Sequence, residues 1–388
     1  MTVEAVLVER VRARLARAGE PPSPARVAAA LRAEGAVLGD RAVLEVVAAV
    51  QSELAGTGVL DPLLRDPAVT DVLVNGPREV WVDRGGGLEP AAVRFRDEVA
   101  VRALAQRLAA AAGRRLDTAQ PMVDARLPGG VRLHAVLPPV ASAGTLISLR
   151  VARPRAFTLD ELVAAGSLPA EMADLLRRVV AARLALLVTG GTGSGKTTLL
   201  STLLGLVPAY ERIVLVEDSG ELVPDHPHVV RLEARRPNVE GAGAVELRDL
   251  VRQALRMRPD RLVVGEVRGA EVVDLLSALN TGHDGGCGTV HANSAGAVPA
   301  RLEALALAAG LGRAALHSQL AAAVQAVVHL ARDRSGRRRV TEVSALDRDG
   351  EGRVVVRAAL SGSPDGSVQE GPGAPLLADR LSAASGGA

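Results

Sequence analysis

The chain has 388 residues, too many for one ordinary hydrophobic core, so two or three domains are expected. Apolar residues make up 48% of it but aromatic ones only 1%, so its cores must be aliphatic; a net charge of +2 and the thinly spread Trp81, Phe95, Phe157 and Tyr210 argue against a base-stacking nucleic-acid surface. A lone cysteine, Cys287, excludes an intramolecular disulfide, Glu4, Glu9, Arg10, Arg12 and Arg14 break any signal-peptide core, and no run of about 18 apolar residues offers a membrane span, so a cytoplasmic location is expected.

Residues 3–18 and 41–54 carry apolar residues at helical spacing, with a Pro/Gly-rich break and a short helix near 25–33 between them, so residues 1–60 read as a helical N-terminal segment. From residue 61 the period changes. Residues 70–75 and 79–83 alternate as strands around Gly76-Pro77, residues 97–112 read as a helix, 125–127 and 131–137 as a hairpin, and 145–151 as a closing strand. Residues 61–151 therefore form an α+β domain of antiparallel sheet with helix cover, and 152–160 a linker. The basic clusters Arg248, Arg252, Arg256, Arg258, Arg261 and Arg332, Arg334, Arg337, Arg338, Arg339 are the strongest local charge runs; the second flanks Ser335-Gly336 and reads as a solvated hairpin turn. Residues 361–388, rich in Gly, Ser, Pro and Ala, read as a disordered tail.

The chain has one lysine, Lys196, against 45 arginines. It lies in Gly190-Gly191-Thr192-Gly193-Ser194-Gly195-Lys196-Thr197-Thr198, which fits the phosphate-binding template G-x-x-x-x-G-K-[ST] at every fixed position. An apolar strand over 184–189 precedes the loop and a helix over 198–204 follows it, the order the motif requires. Glycines turn backbone N–H groups toward phosphates, the helix N-terminus favours anions, and the Thr197 hydroxyl is placed to reach Mg²⁺. The nine loop residues Gly190 to Thr198 thus bind a nucleoside triphosphate, and residues 161–360 form the nucleotide domain.

Residues 213–222 are an apolar strand ending in Glu217, Asp218 and Glu221, and residues 258–271 a second one carrying Glu266 and Glu271. Residues 281–294 add His283, Cys287 and His291. Zinc is one reading of those three, but the histidines are not at H-x-x-x-H spacing and one cysteine does not complete a set. With the phosphate loop, these stretches resemble the Walker A, Asp box, Walker B and His box of the secretion ATPase superfamily of type II and type IV secretion. Residues 123–128, 255–260 and 265–271 are most similar to the CpaF/TadA-type ATPases of tight-adherence (Flp) pili.

That resemblance, covering roughly residues 60 to 345, implies an α/β fold: a RecA-like P-loop domain preceded by a smaller, PAS-like α+β domain. It implies a hexameric ATPase motor using ATP and Mg²⁺, peripheral to the cytoplasmic membrane through an inner-membrane platform protein, with no stable nucleic-acid binding. The alternative is a conjugation-associated or DNA-linked motor on the same core. By the same resemblance Glu221 is the water-activating base, and Glu266 joins Thr197 at the metal, through water. Which acid takes the proton stays open. His283 and His291 couple the γ-phosphate to the subunit interface, and Arg150 approaches nucleotide at a boundary. Family members with two adjacent arginines there differ from Arg150-Val151, so Arg126, Arg132 and Arg153 remain alternatives to Arg150.

Overall fold

The computed structural model describes residues 24–34, 56–127, 129–151, 156–235, 242–333, 336–363 and 365–385, and positions 10, 11, 14 and 237. These belong to two compact units, Met1–Arg153 and Pro154–Ala388. The helices expected over 3–18 and 41–54 lie almost wholly outside the described residues. The one near 25–33 spans Pro24–Ala33 and buries Val27, Ala30 and Leu31 at helical spacing. Among the described residues no helix is long and apolar enough to cross a membrane.

The first unit holds β1 (Asp71–Val74), β2 (Val80–Asp83), β3 (Leu88–Pro90), β4 (Met122–Arg126), β5 (Arg132–Val136) and β6 (Leu146–Arg150) in one sheet of order β3-β2-β1-β6-β5-β4, antiparallel throughout. Alternation puts Val72, Val74, Leu133 and Ala135 on the buried face. The helix Glu98–Ala111 covers that face with Val101, Leu104, Ala105 and Leu108, the i, i+3, i+4, i+7 stripe. Asp97 starts it by accepting the Ala100 N–H at 2.9 Å, a cap worth about 1 kcal/mol.

In the second unit β7 (Leu186–Gly190), β8 (Ile213–Glu217), β9 (Val229–Glu233), β10 (Arg261–Val267), β11 (Cys287–Val290), β12 (Ala326–Arg332), β13 (Arg338–Arg348), β14 (Val354–Gly362) and β15 (Val368–Glu370) form a sheet of order β15-β14-β13-β12-β7-β11-β10-β8-β9. Pairing is parallel from β12 to β9 and antiparallel from β12 to β15. Every residue of β7 and β8 is buried, because helices cover both faces. Leu186 and Val188 pack with Leu199 and Leu203 on one side; Leu187 and Val214 pack with Val251 and Leu275 on the other.

Two sequence expectations change, and one basic cluster is resolved. The helix Leu159–Ala164 begins inside the expected linker, started by a Thr158/Glu161 capping box. The first basic cluster is not a continuous surface patch: Arg261 is 2% exposed and bound to Glu211, while Arg248 and Arg252 both face Asp274. Of the stretch expected as a disordered tail, the described residues 361–363 and 365–385 are folded. β14 runs to Gly362, β15 extends the sheet, and the helix Ala374–Ser385 buries Leu377 and Leu381 in the core shared with β13 and the phosphate-loop helix.

Glycines in that stretch serve close packing. Gly373 donates its N–H to Ala358 O at 2.7 Å, and a Cβ on it would lie 2.2 Å from Arg357 O. Arg380 locks the helix by donating to the Gln325 and Leu346 carbonyls at 2.5 and 2.6 Å. Leu377, 1% exposed, makes a direct test. Leu377→Ala is expected to lower unfolding free energy by about 2–5 kcal/mol in a urea titration, whereas a disordered tail would give no change.

Candidate active site

The phosphate loop joins β7 to the helix Lys196–Leu204. Gly190 has φ +150°, and a Cβ there would lie 2.3 Å from Leu330 O on β12, so only glycine lets the loop leave the sheet at this point. Gly195, φ +100°, occupies the N-cap and no side chain caps the helix, which leaves the first-turn N–H groups without side-chain acceptors. Among the described residues the buried Ser194 hydroxyl has no hydrogen-bond partner. Lys196, 7% exposed, folds back over the loop and donates to Gly190 O at 3.0 Å and Gly191 O at 2.9 Å. An uncapped helix end, an unpartnered hydroxyl and an ammonium together fit a polyanionic phosphate group.

Register brings the other motifs to this loop. Val290 pairs with Thr189 across β11 and β7, so His291 leaves β11 at the level of Gly190. Its Nε2 lies 3.4 Å from Lys196 Nζ and 2.7 Å from Glu266 Oε1. Arg268 Nη2 donates to Glu266 Oε2, and its Nη1 lies 3.9 Å from Asp218 Oδ2, so this guanidinium links the ends of β10 and β8.

The electrostatics follow from burial and crowding. Desolvation lowers the Lys196 pKa, opposed by Glu266 and Glu221, with Arg268 adding to the lowering. Desolvation and the Lys196 charge also lower His291, against the pull of Glu266, so it is neutral at pH 7. The hydrogen bond to Glu266 raises Arg268.

Of the residues singled out in the sequence, His291 lies against both Lys196 and Glu266, and Glu266 and Glu221 lie close enough for their charges to act on Lys196 and Arg268. His283 is placed elsewhere, following the helix Glu271–Leu279 with Nδ1 3.3 Å from Ala278 O. Arg150, in the first unit, lies 3.1 Å from Asp71 Oδ1, and Arg132 grips Asp124 with two hydrogen bonds of 3.1 and 3.0 Å. Arg126 ends β4, and Arg153 lies outside the described residues.

Two site residues carried no assignment in the sequence reading. Arg268 stood in the Walker B phrase as one arginine among 45. Glu217, 3% exposed, accepts the Glu221 and Leu222 N–H groups at 2.9 Å each. Burial pushes its carboxyl up to about 7, above the usual carboxylate range. A signal existed: an acid closing an otherwise apolar five-residue strand faces either solvent or a buried partner, and here it is the latter.

Among the described residues no group of three His, Cys, Asp or Glu side chains forms a metal site. Cys287 is buried in β11, where burial pushes its thiol up to about 12. Mg²⁺ needs less, one or two protein oxygens completed by phosphate and water, and Thr197 and Glu266 can supply that.

The signature described as "Type II/IV secretion system protein" matches residues 53–362. A putative conjugal transfer protein of Mycobacterium tuberculosis (strain H37Rv) is 63% identical over 324 residues, covering 82% of this chain and 92% of that protein. The probable conjugal transfer protein TrbB of Sinorhizobium fredii is 31% identical over 300 residues, covering 76% and 88%. Among solved structures, the Legionella pneumophila ATPase DotB matches with a TM-score of 0.52 at 19% identity, over 84% of this chain and 85% of that one, a likeness of fold.

Proposed function

Because the chain belongs to the Type II/IV secretion system protein family, we propose that it is an Mg²⁺-dependent ATPase, a homo-hexameric motor that powers pilus assembly or secretion through an inner-membrane platform protein. The observation that carries this reading is the meeting of Lys196, Glu266 and His291 at the carboxyl ends of β7, β10 and β11, where open α/β sheets bind ligands.

The residues divide the work. Residues 190–198 cradle the phosphates with backbone N–H groups, and Lys196 neutralises charge on the transferring end. Mg²⁺, when bound, offsets the charge of the β- and γ-phosphates, with Thr197 and Glu266 on its protein side. Glu221 or Glu266 orients the attacking water. His291, beside Glu266, couples the γ-phosphate to the subunit interface, with His283 on the same segment. Arg150, or one of Arg126, Arg132 and Arg153, supplies a cation at the ring boundary, which would make hydrolysis depend on assembly.

The finer assignment we propose is tight-adherence pilus assembly, supported by the phrases at residues 123–128, 255–260 and 265–271. A second reading, conjugal transfer, is favoured by the names of the M. tuberculosis and S. fredii relatives. An ATPase rate raised by DNA and abolished by salt supports that second reading; indifference to DNA supports the first.

Glu266→Gln tests the motor itself. Turnover of MgATP is expected to fall at least about a hundredfold with ATP binding retained, because the amide keeps the shape but loses the charge. Wild-type specific activity should rise with protein concentration as rings form. A mutant as fast as wild type removes Glu266 from the mechanism, and a concentration-independent rate removes the ring.

A further inference from the structure

We infer that Glu217 is a positioning residue of this site: its buried carboxylate ties the loop that carries Glu221 to the strand that carries Glu266. The inference rests on the ATPase reading above and names the group that sets the two candidate acids relative to each other.

Glu217 ends β8, and the chain turns back on it at once. Its Oε1 accepts the N–H groups of both Glu221 and Leu222 at 2.9 Å, so the backbone of Glu221 is held by the side chain four residues earlier. Leu222 is fully buried, Val223 N–H donates to Ser201 Oγ on the phosphate-loop helix at 3.1 Å, and Arg231 on β9 donates to Leu222 O at 2.5 Å. The same side chain meets β10. Val216 pairs with Val264, and a Cβ on Gly265 would lie 2.7 Å from Glu217 Cγ. Gly265 is therefore open to the carboxylate stem, and the next residue is Glu266. One side chain thus fixes the backbone of one acid through hydrogen bonds and abuts the residue just before the other.

The tether requires an acceptor at Oε1 and does not require charge. That separates it from a catalytic acid or base at the same position. The full chain carrying Glu217→Met keeps side-chain length and burial but loses the acceptor, whereas Glu217→Gln keeps it.

Glu217→Met is expected to lower kcat by about 10- to 100-fold with KM for MgATP within about twofold, since misplacing a reacting group costs turnover and leaves the phosphate cradle intact. Glu217→Gln should restore kcat to within about threefold. Amide exchange at Glu221 and Leu222 should speed by at least about tenfold in Met and stay near wild type in Gln. Equal losses in Gln and Met would overturn the tether in favour of a charge or proton role, and a Met variant with wild-type kcat and slow exchange would overturn it outright. Should Glu217→Met fail to fold, Gly265→Ala displaces the carboxylate stem and is expected to show the same loss of kcat at unchanged KM; a folded Gly265→Ala protein with wild-type kcat contradicts the inference. A wild-type chain with no ATPase activity would defeat the ATPase reading, and the exchange rates of the two amides would still decide the tether.

Discussion

Lys196→Arg is expected to lower ATP turnover by at least about two powers of ten, equivalent to roughly 2.7 kcal/mol of transition-state stabilisation, while the protein stays folded. By charge this is the mildest substitution available in a chain that otherwise uses arginine at every basic position. The pocket around the ammonium sets the outcome. Nζ sits between Gly190 O and Gly191 O at 3.0 and 2.9 Å, with the His291 ring 3.4 Å away, and only 7% of the residue is exposed. A planar guanidinium needs more room and presents donors in a fixed fork, so it must leave the carbonyl pair and intrude on the space of the terminal phosphate. The residue faces a ligand, so the melting temperature should change little. A folded Lys196→Arg protein with wild-type kcat would overturn the role assigned to this lysine.

Arg261→Met is expected to destabilise the second unit by about 3–5 kcal/mol. Arg261 begins β10 beneath the sheet at 2% exposure and donates to Glu211 Oε2 at 2.6 Å and to Val180 O at 3.1 Å. Glu211 is itself 3% exposed, with Arg183 as a second cation 3.0 Å away. Removing the guanidinium leaves a buried carboxylate dependent on a half-exposed partner, and the cost is that of an under-compensated buried charge. The control is Arg261→Met with Glu211→Met, which removes both charges and should recover most of the lost stability in a denaturant titration. A single mutant within about 1 kcal/mol of wild type would show that the pair is not the anchor the geometry indicates.

Both predictions concern basic residues, yet only one was readable from the chain. Lys196 sits in a template whose spacing encodes its geometry, since strand, glycine loop and helix are contiguous. Arg261 stood in a run of arginines, and no local signal separated it from Arg248 or Arg252. What buries it is the position of β10 between β8 and β11, a matter of strand order. The segment at 361–385 misled for a related reason. Glycines at 371 and 373 read as flexibility, but they let the chain lie against β14, and Leu377 and Leu381 found a core built by residues far earlier in sequence.

The sequence by itself determined the antiparallel sheet and helix of the first unit, the phosphate loop and its flanking elements, and which acids and histidines were candidates, because each of these is written in residues a few positions apart. Tertiary structure alone decided that His291 reaches both Lys196 and Glu266 while His283 does not, that Arg268 bridges two strand ends, and that Glu217 is buried beneath Gly265. These facts depend on parallel strands pairing in the order β7-β11-β10-β8, which differs from their order along the chain. Periodicity names the face a residue takes within its own strand; the neighbour it meets is chosen by the crossover connections, and those are fixed only when both faces of the sheet are covered.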